Sequence, residues 1–233
     1  MTRLGDRPGW AFALLTGYLA GLLALDRLSD AQGQLLLGAA TWGLLLGICR
    51  LLTPERRTQV AVVIAAATLA ELTGSIVWGV YTYRLENLPS FVPPAHGLVY
   101  LAGLALSAWA SRRPRLLVGA AMVAVCAWSL AGLTVLPRTD VGGAAGAALL
   151  SYYLLRGRAP ALYAGVFLVV AGLELYGTAL GTWTWAETIP GTGIPNGNPP
   201  SGVASGYVWF DFMALALAPR LLAVRAKFAP ARA

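Results

Sequence analysis

The chain has 233 residues, 58% of them hydrophobic and only 12% charged, with a mean hydropathy of +0.66. A soluble domain carries roughly 25% charged residues, so this composition excludes an ordinary water-soluble fold and points to a bilayer. The net charge of +7 does not signal nucleic acid either, because the arginines fall in short clusters between apolar runs rather than along a stripe with exposed aromatics.

Windows of about 20 residues predict an all-α, polytopic membrane bundle of about eight transmembrane helices, over 9–25, 34–52, 58–80, 95–111, 116–135, 141–155, 160–182 and 203–222. The first run, preceded by Arg3 and Arg7, imitates a signal peptide. No small-residue cleavage site follows it, and the repeat described below needs it, so it is read as a helix. Cys49 and Cys126 each lie inside an apolar run and form no Cys-x-x-Cys pair, so they read as small buried apolar residues rather than zinc ligands or a disulfide. The sixth run is short and rich in Gly and Ala. Connections are brief except for 81–94 and 183–202, which hold 7 of the 14 prolines.

Lysine and arginine placement gives an orientation. With the N-terminus in the cytoplasm, 14 of the 17 basic residues fall on the cytoplasmic side: Arg3, Arg7, Arg50, Arg56, Arg57, Arg112, Arg113, Arg115, Arg156, Arg158, Arg220, Arg225, Lys227 and Arg232. Only Arg27, Arg84 and Arg138 fall opposite. The positive-inside rule then predicts N-in, C-in topology in the cytoplasmic membrane, with both long loops outside the cytoplasm.

A repeat runs through the chain. Glu71-Leu72-Thr73-Gly74-Ser75, then Gly79-Val80-Tyr81-Thr82-Tyr83, Pro89 and Pro93-Pro94, is answered by a second copy. There Glu174-Leu175-Tyr176-Gly177-Thr178 leads to Gly181-Thr182-Trp183-Thr184-Trp185, Pro190 and Pro199-Pro200. Leu- and Ala-rich helices resemble one another by chance, but chance does not reproduce this polar and proline pattern. The expectation is two parallel four-helix repeats, 1–111 and 112–233, in a single membrane domain, related by a pseudo-twofold axis along the membrane normal rather than inverted.

Glu71 lies about 13 residues into its predicted helix, roughly 20 Å along it, and Glu174 at a matching depth. A carboxylate in lipid costs at least ~2.5–3.5 kcal/mol on insertion scales, so each should face the bundle interior and find a partner. Desolvation favours the protonated form, which can donate a proton. Two readings follow: the acids tie helices together across the axis, or they serve a functional pocket. Asp211 is a third intramembrane acid; aligning the copies on Leu-Ala-Leu sets it opposite Tyr100, whereas aligning them on Pro-Pro sets Tyr207 there. His96, the only histidine, either pairs with Glu71, relays protons, or is a hydrogen-bonded residue at a helix end. Tyr81, Tyr83, Trp183 and Trp185 read either as an interfacial aromatic belt or, with Trp78, Tyr100 and Tyr207, as the wall of a site for a flat lipid and for a carbocation. Asn196 and Asn198 either bind polar head groups or simply make turns. No metal ligand set and no cofactor motif is found: P-loop, Gly-x-Ser-x-Gly and His-Glu-x-x-His are absent. One histidine is too few for a His-rich di-iron oxygenase, and the only lysine, Lys227, lies in the tail, away from any retinal Schiff base.

The pattern of Glu71, Gly74, Gly79, Tyr81, Tyr83 and Val92-Pro93, repeated from Glu174 to Trp185, resembles integral-membrane carotenoid-modifying enzymes: the carotenoid hydratase family and, more distantly, tandem-repeat membrane lycopene cyclases. The resemblance covers about 71–100 and 174–211. It implies an intramembrane lyase-type or cyclase-type reaction in carotenoid or terpene biosynthesis, with buried acids at Glu71 and Glu174. The cyclases carry Pro-x-Glu-Glu where this chain has Pro93-Pro94-Ala95-His96 and Pro199-Pro200-Ser201-Gly202, which argues against cyclisation of lycopene itself. The expected function is protonation of a C=C bond of an isoprenoid or carotenoid-like membrane lipid by Glu71 and Glu174, assisted by Asp211 or His96. The rival expectations are a proton-coupled transporter or lipid flippase using the same carboxylates, and a structural or accessory membrane subunit.

Overall fold

The structure, a computed structural model, describes residues 7–228. Arg3 and Arg232, both counted in the charge asymmetry, lie outside the described residues. Eight helices are present among those described: α1 (Pro8–Leu28), α2 (Ala31–Arg50), α3 (Pro54–Glu71), α4 (Val92–Trp109), α5 (Pro114–Thr134), α6 (Val141–Arg156), α7 (Pro160–Leu180) and α8 (Val203–Lys227). A π-helical segment, Leu72–Trp78, continues α3, and two short strands, β1 (Tyr81–Tyr83) and β2 (Trp183–Trp185), follow α3 and α7. All eight predicted spans are therefore helices. Six of them (α1, α2, α3 with its extension, α5, α7 and α8) are long and apolar enough to cross a membrane. The other two fall short of that measure: α6 has 16 residues, and α4 carries Pro93, Pro94 and His96 near its start.

The helix starts follow from local chemistry. α1, α3, α5 and α7 each open on a proline, where the missing N–H costs no hydrogen bond and φ is already helical. α2 and α6 open on aspartates instead: the Asp30 carboxylate accepts from the Gly33 N–H at 2.8 Å, and Asp140 from the Gly143 N–H at 3.0 Å.

The connections before α2, α4, α6 and α8 gather at one end of the bundle. Ser90 Oγ donates to the Gln34 carbonyl at 2.8 Å, and the Arg84 guanidinium donates to the carbonyls of Asp26 and Ser29. The Gly142 N–H donates to the Pro195 carbonyl at 3.0 Å, and Arg138 to the Trp185 carbonyl at 2.8 Å.

The centre of the bundle is made by α3, α4, α7 and α8, with α4 packed most extensively on α7, and α3 on α8. The α4–α7 crossing is a backbone contact: a Cβ on Gly103 would lie 2.8 Å from the Val166 nitrogen, and one on Gly165 would lie 2.5 Å from the Gly103 carbonyl oxygen. Small residues bring helices this close where the hydrophobic effect does not drive them together. Outward, large apolar side chains such as Leu14, Leu36, Val123, Leu155 and Leu221 stand exposed, the apolar-all-round pattern of helices surrounded by lipid. Cys49 is half-buried and Cys126 is exposed on the outer face of α5 rather than buried; both are free thiols.

Candidate functional site

The site begins with two chain reversals. α3 and its π-helical segment end at Gly79 (φ 73°, ψ 29°), and α7 ends at Gly181 (φ 72°, ψ 27°). Both are left-handed conformations that a Cβ would disfavour. Each glycine turns the chain back over the end of the helix it has just left. The strands that follow pair antiparallel, Tyr81 with Trp185, Thr82 with Thr184 and Tyr83 with Trp183. The Arg84 N–H to the Thr182 carbonyl, and the Ala186 N–H to the Val80 carbonyl, both 2.9 Å, extend the ribbon.

The two exits differ by one residue, because Glu71 to Gly79 is one residue longer than Glu174 to Gly181. The π-helical segment takes up the difference, since its wider turn holds an extra residue without lengthening the helix by a full step. Each strand therefore meets its own glutamate in the same way.

Side chains alternate along a strand, so Thr82 and Thr184 point out and are exposed while the aromatic residues point in. The phenols of Tyr81 and Tyr83 both donate to Glu71 Oε2, the latter at 2.6 Å, and His96 Nε2 lies 3.1 Å from Oε1. Across the ribbon, the indole N–H groups of Trp183 and Trp185 both donate to Glu174 Oε2, at 2.9 and 3.3 Å. Tyr81 leans on Trp185 at a tilt of 39° with ring centroids 4.6 Å apart, and Tyr83 meets Trp183 edge-on at 6.1 Å, the latter a geometry that aromatic quadrupoles favour.

Beneath the ribbon lies a cavity of about 230 Å³. Its walls come from α1, α3, α4, α7 and α8 as well as both strands, and most of them are apolar, including Leu19, Val99, Val170 and Phe210. Glu71 and Glu174 both line it, as do His96, Tyr81, Tyr83, Trp183, Trp185 and Tyr207. The glutamates sit nearer the loop end than expected. Glu71 is seven residues short of the helix end, because the π-helical continuation of α3 stops at Trp78 rather than at 80.

Five other predicted site residues fall outside the cavity wall. Asp211 is 1% exposed, one helical turn beyond Tyr207, and its Oδ2 has no hydrogen-bond partner. Tyr100 is buried and donates to Gln59 Oε1 at 3.0 Å. Trp78 is exposed and donates its indole N–H to the Pro190 carbonyl at 3.1 Å. Asn196 Nδ2 donates to the Ala186 carbonyl at 3.2 Å, and Asn198 Oδ1 accepts from the Trp185 N–H at 3.0 Å, so both asparagines shape the second loop.

Sequence reading missed two buried anchors that hold the loops over the site. Asp140 accepts the Gly143 and Gly197 N–H groups and, at 2.6 Å, that of Ser201, tying the start of α6 to the loop before α8. Asp26 accepts from Gln34 Nε2 at 2.7 Å and lies 3.7 Å from the Arg84 guanidinium. The available signal was an acid within two residues of each of the basic residues Arg27 and Arg138 at the ends of apolar runs.

No cluster of three or more His, Cys, Asp or Glu side chains suited to a metal ion occurs among the described residues. Comparison with protein-family models, with functionally characterised proteins and with solved structures finds no match to this chain.

Proposed function

We propose that this chain is a multi-pass membrane enzyme that protonates a C=C bond of an isoprenoid or carotenoid-like lipid, leading to hydration or cyclisation. One observation carries this reading. Two acidic side chains, on helices far apart in sequence, line a single apolar cavity. Water competes poorly for a proton in such a setting, and aromatic faces stand ready beside a developing cation. One carboxylic acid gives its proton to an alkene carbon. The adjacent carbon becomes cationic and is discharged by water or by ring closure, and the second carboxylate takes the proton released. His96, bonded to Glu71, assists. Asp211 lies behind the wall and has a more distant part.

The proposed architecture is two parallel four-helix repeats, meeting at 111/112, with both termini in the cytoplasm and the ribbon outside. Several features support it. The matching pairs α4–α7 and α3–α8 form the two most extensive helix contacts. The aspartate caps of α2 and α6, the two left-handed glycines and the central Thr82–Thr184 pair also correspond between halves. The outer helices depart from the pattern, with α1 set against α4 and α7, and α5 against α6 and α7. The resemblance to carotenoid hydratases agrees with this function.

The test is to assay purified Glu71→Gln and Glu174→Gln variants on lycopene and on polyprenyl lipids, following substrate mass. Loss of a general acid or base lowers turnover by about 10²–10⁴-fold. Undiminished turnover in both variants ends the mechanism. Movement of the probe across a vesicle bilayer with its mass unchanged identifies a carrier instead.

A further inference from the structure

The two carboxyls are held by different chemistry, and the difference assigns them different jobs. An indole N–H can only donate. Because Trp183 and Trp185 both donate to Glu174 Oε2, that oxygen is fixed as an acceptor. Any proton on Glu174 must then sit on Oε1, which takes no hydrogen bond from the described residues. That atom is left for a ligand, on a residue that lines the cavity.

Glu71 has no such freedom. Two phenols occupy Oε2 and the His96 ring faces Oε1. A proton on Glu71 would be directed at His96 rather than at a ligand. Donors converging on both oxygens satisfy a carboxylate, and hydrogen bonds to an ionised group are about twice as strong as neutral ones.

We propose that Glu174 carries the transferable proton on Oε1, while Glu71, clamped by Tyr81, Tyr83 and His96, is its ionised partner. This rests on the protonation reading above and divides its labour. The Glu174 O–H bond breaks, its electron pair stays on the carboxyl, and the alkene π pair forms the new C–H bond. The cation that results faces the Glu71 carboxylate. When water adds, or ring closure expels a proton, that proton goes to Glu71, and its return to Glu174 resets the site. The pairing of a phenolic clamp on one side with an indole clamp on the other is then functional: Tyr81 and Trp183, at corresponding places in the repeat, prepare opposite charge states.

Infrared difference spectroscopy of the purified, lipid-reconstituted protein at neutral pH tests the placement of the proton without needing a substrate. Wild type minus Glu174→Gln should contain a protonated-carboxyl stretch. Wild type minus Glu71→Gln should contain carboxylate stretches and no protonated one. The reverse assignment, or a protonated stretch in both difference spectra, overturns the proposal. Should the glutamine variants not fold, Glu174→Asp and Glu71→Asp keep the carboxyls and must shift the protonated and the ionised bands respectively. The spectra are read alongside turnover of lycopene. Expected bands in a protein that converts neither lycopene nor polyprenyl lipids would reject the enzymatic reading while upholding the division between the two acids.

Discussion

At the scale of single residues, the site depends on glycines that let aromatic rings approach a helix closely. A Cβ on Gly177 would sit 2.2 Å from Trp183 Cη2, whereas one on Gly74 would sit 3.0 Å from Tyr81 Cε1. The Trp183 ring cannot swing aside without giving up its bond to Glu174. Replacing a helical glycine by alanine gains up to about 1 kcal/mol of propensity, and overpacking costs about 1–3 kcal/mol. Gly177→Ala should therefore lower thermal stability in detergent and loosen the Trp183 clamp. Gly74→Ala should be near neutral. Equal thermal midpoints for the two variants would contradict this packing. The partners of the glutamates were only partly legible in the sequence. That Glu71 and Glu174 face inward follows from the cost of a charge in lipid. That their partners are the aromatic residues just past the helix depends on a chain reversal at Gly79 and Gly181, which composition and hydropathy do not encode. Tyr81, Tyr83, Trp183 and Trp185 read equally well as an interfacial belt, because the same amphipathic ring chemistry suits both places.

At the scale of elements, the eight helices were legible from their apolar runs, and six of them also start on strong local signals: proline at α1, α3, α5 and α7, and aspartate at α2 and α6. The π-helical segment was not. One extra residue between Glu71 and Gly79 is visible in the sequence, but a longer loop would absorb it as readily as a widened helical turn. The structure places it in the helix, and a specific consequence follows. Deleting Val77, exposed on that segment, should convert Leu72–Trp78 to ordinary α-helix, restore the spacing of the second copy and leave the ribbon in register. The thermal midpoint should change little. Deleting Leu175, exposed on α7 between Glu174 and Gly181, provides the contrast, because that helix holds no spare residue. Everything beyond the deletion would rotate by about 100°, carrying Trp183 and Trp185 away from Glu174, and the protein should lose its fold or its cavity. Similar losses from both deletions would show that the π-helical segment is not the buffer described.

At the scale of the whole molecule, an asymmetric site is set among four central helices. The central helices α3, α4, α7 and α8 meet in corresponding pairs, held at the α4–α7 crossing by Gly103 and Gly165. The cavity beneath the ribbon is furnished with phenols and an imidazole on one side and indoles on the other. Under the proposed function, a duplicated bundle would supply two equivalent acids at little structural cost, and changing only their partners would be enough to separate donor from acceptor. For the proposed reaction, the face of the membrane that holds this site would decide where substrate and water reach it. The clustering of arginines opposite the ribbon predicts that the ribbon is extracytoplasmic. Glu187, whose side chain is 83% exposed, lies at the ribbon end, and Arg112, also exposed, lies in the connection between α4 and α5 at the other. With Cys49 and Cys126 replaced by alanine, a membrane-impermeant maleimide added to intact cells should label Glu187→Cys and spare Arg112→Cys, with both labelled once the cells are opened. Labelling of Arg112→Cys alone in intact cells would invert the orientation and place the carboxyl pair, together with its water supply, on the cytoplasmic side.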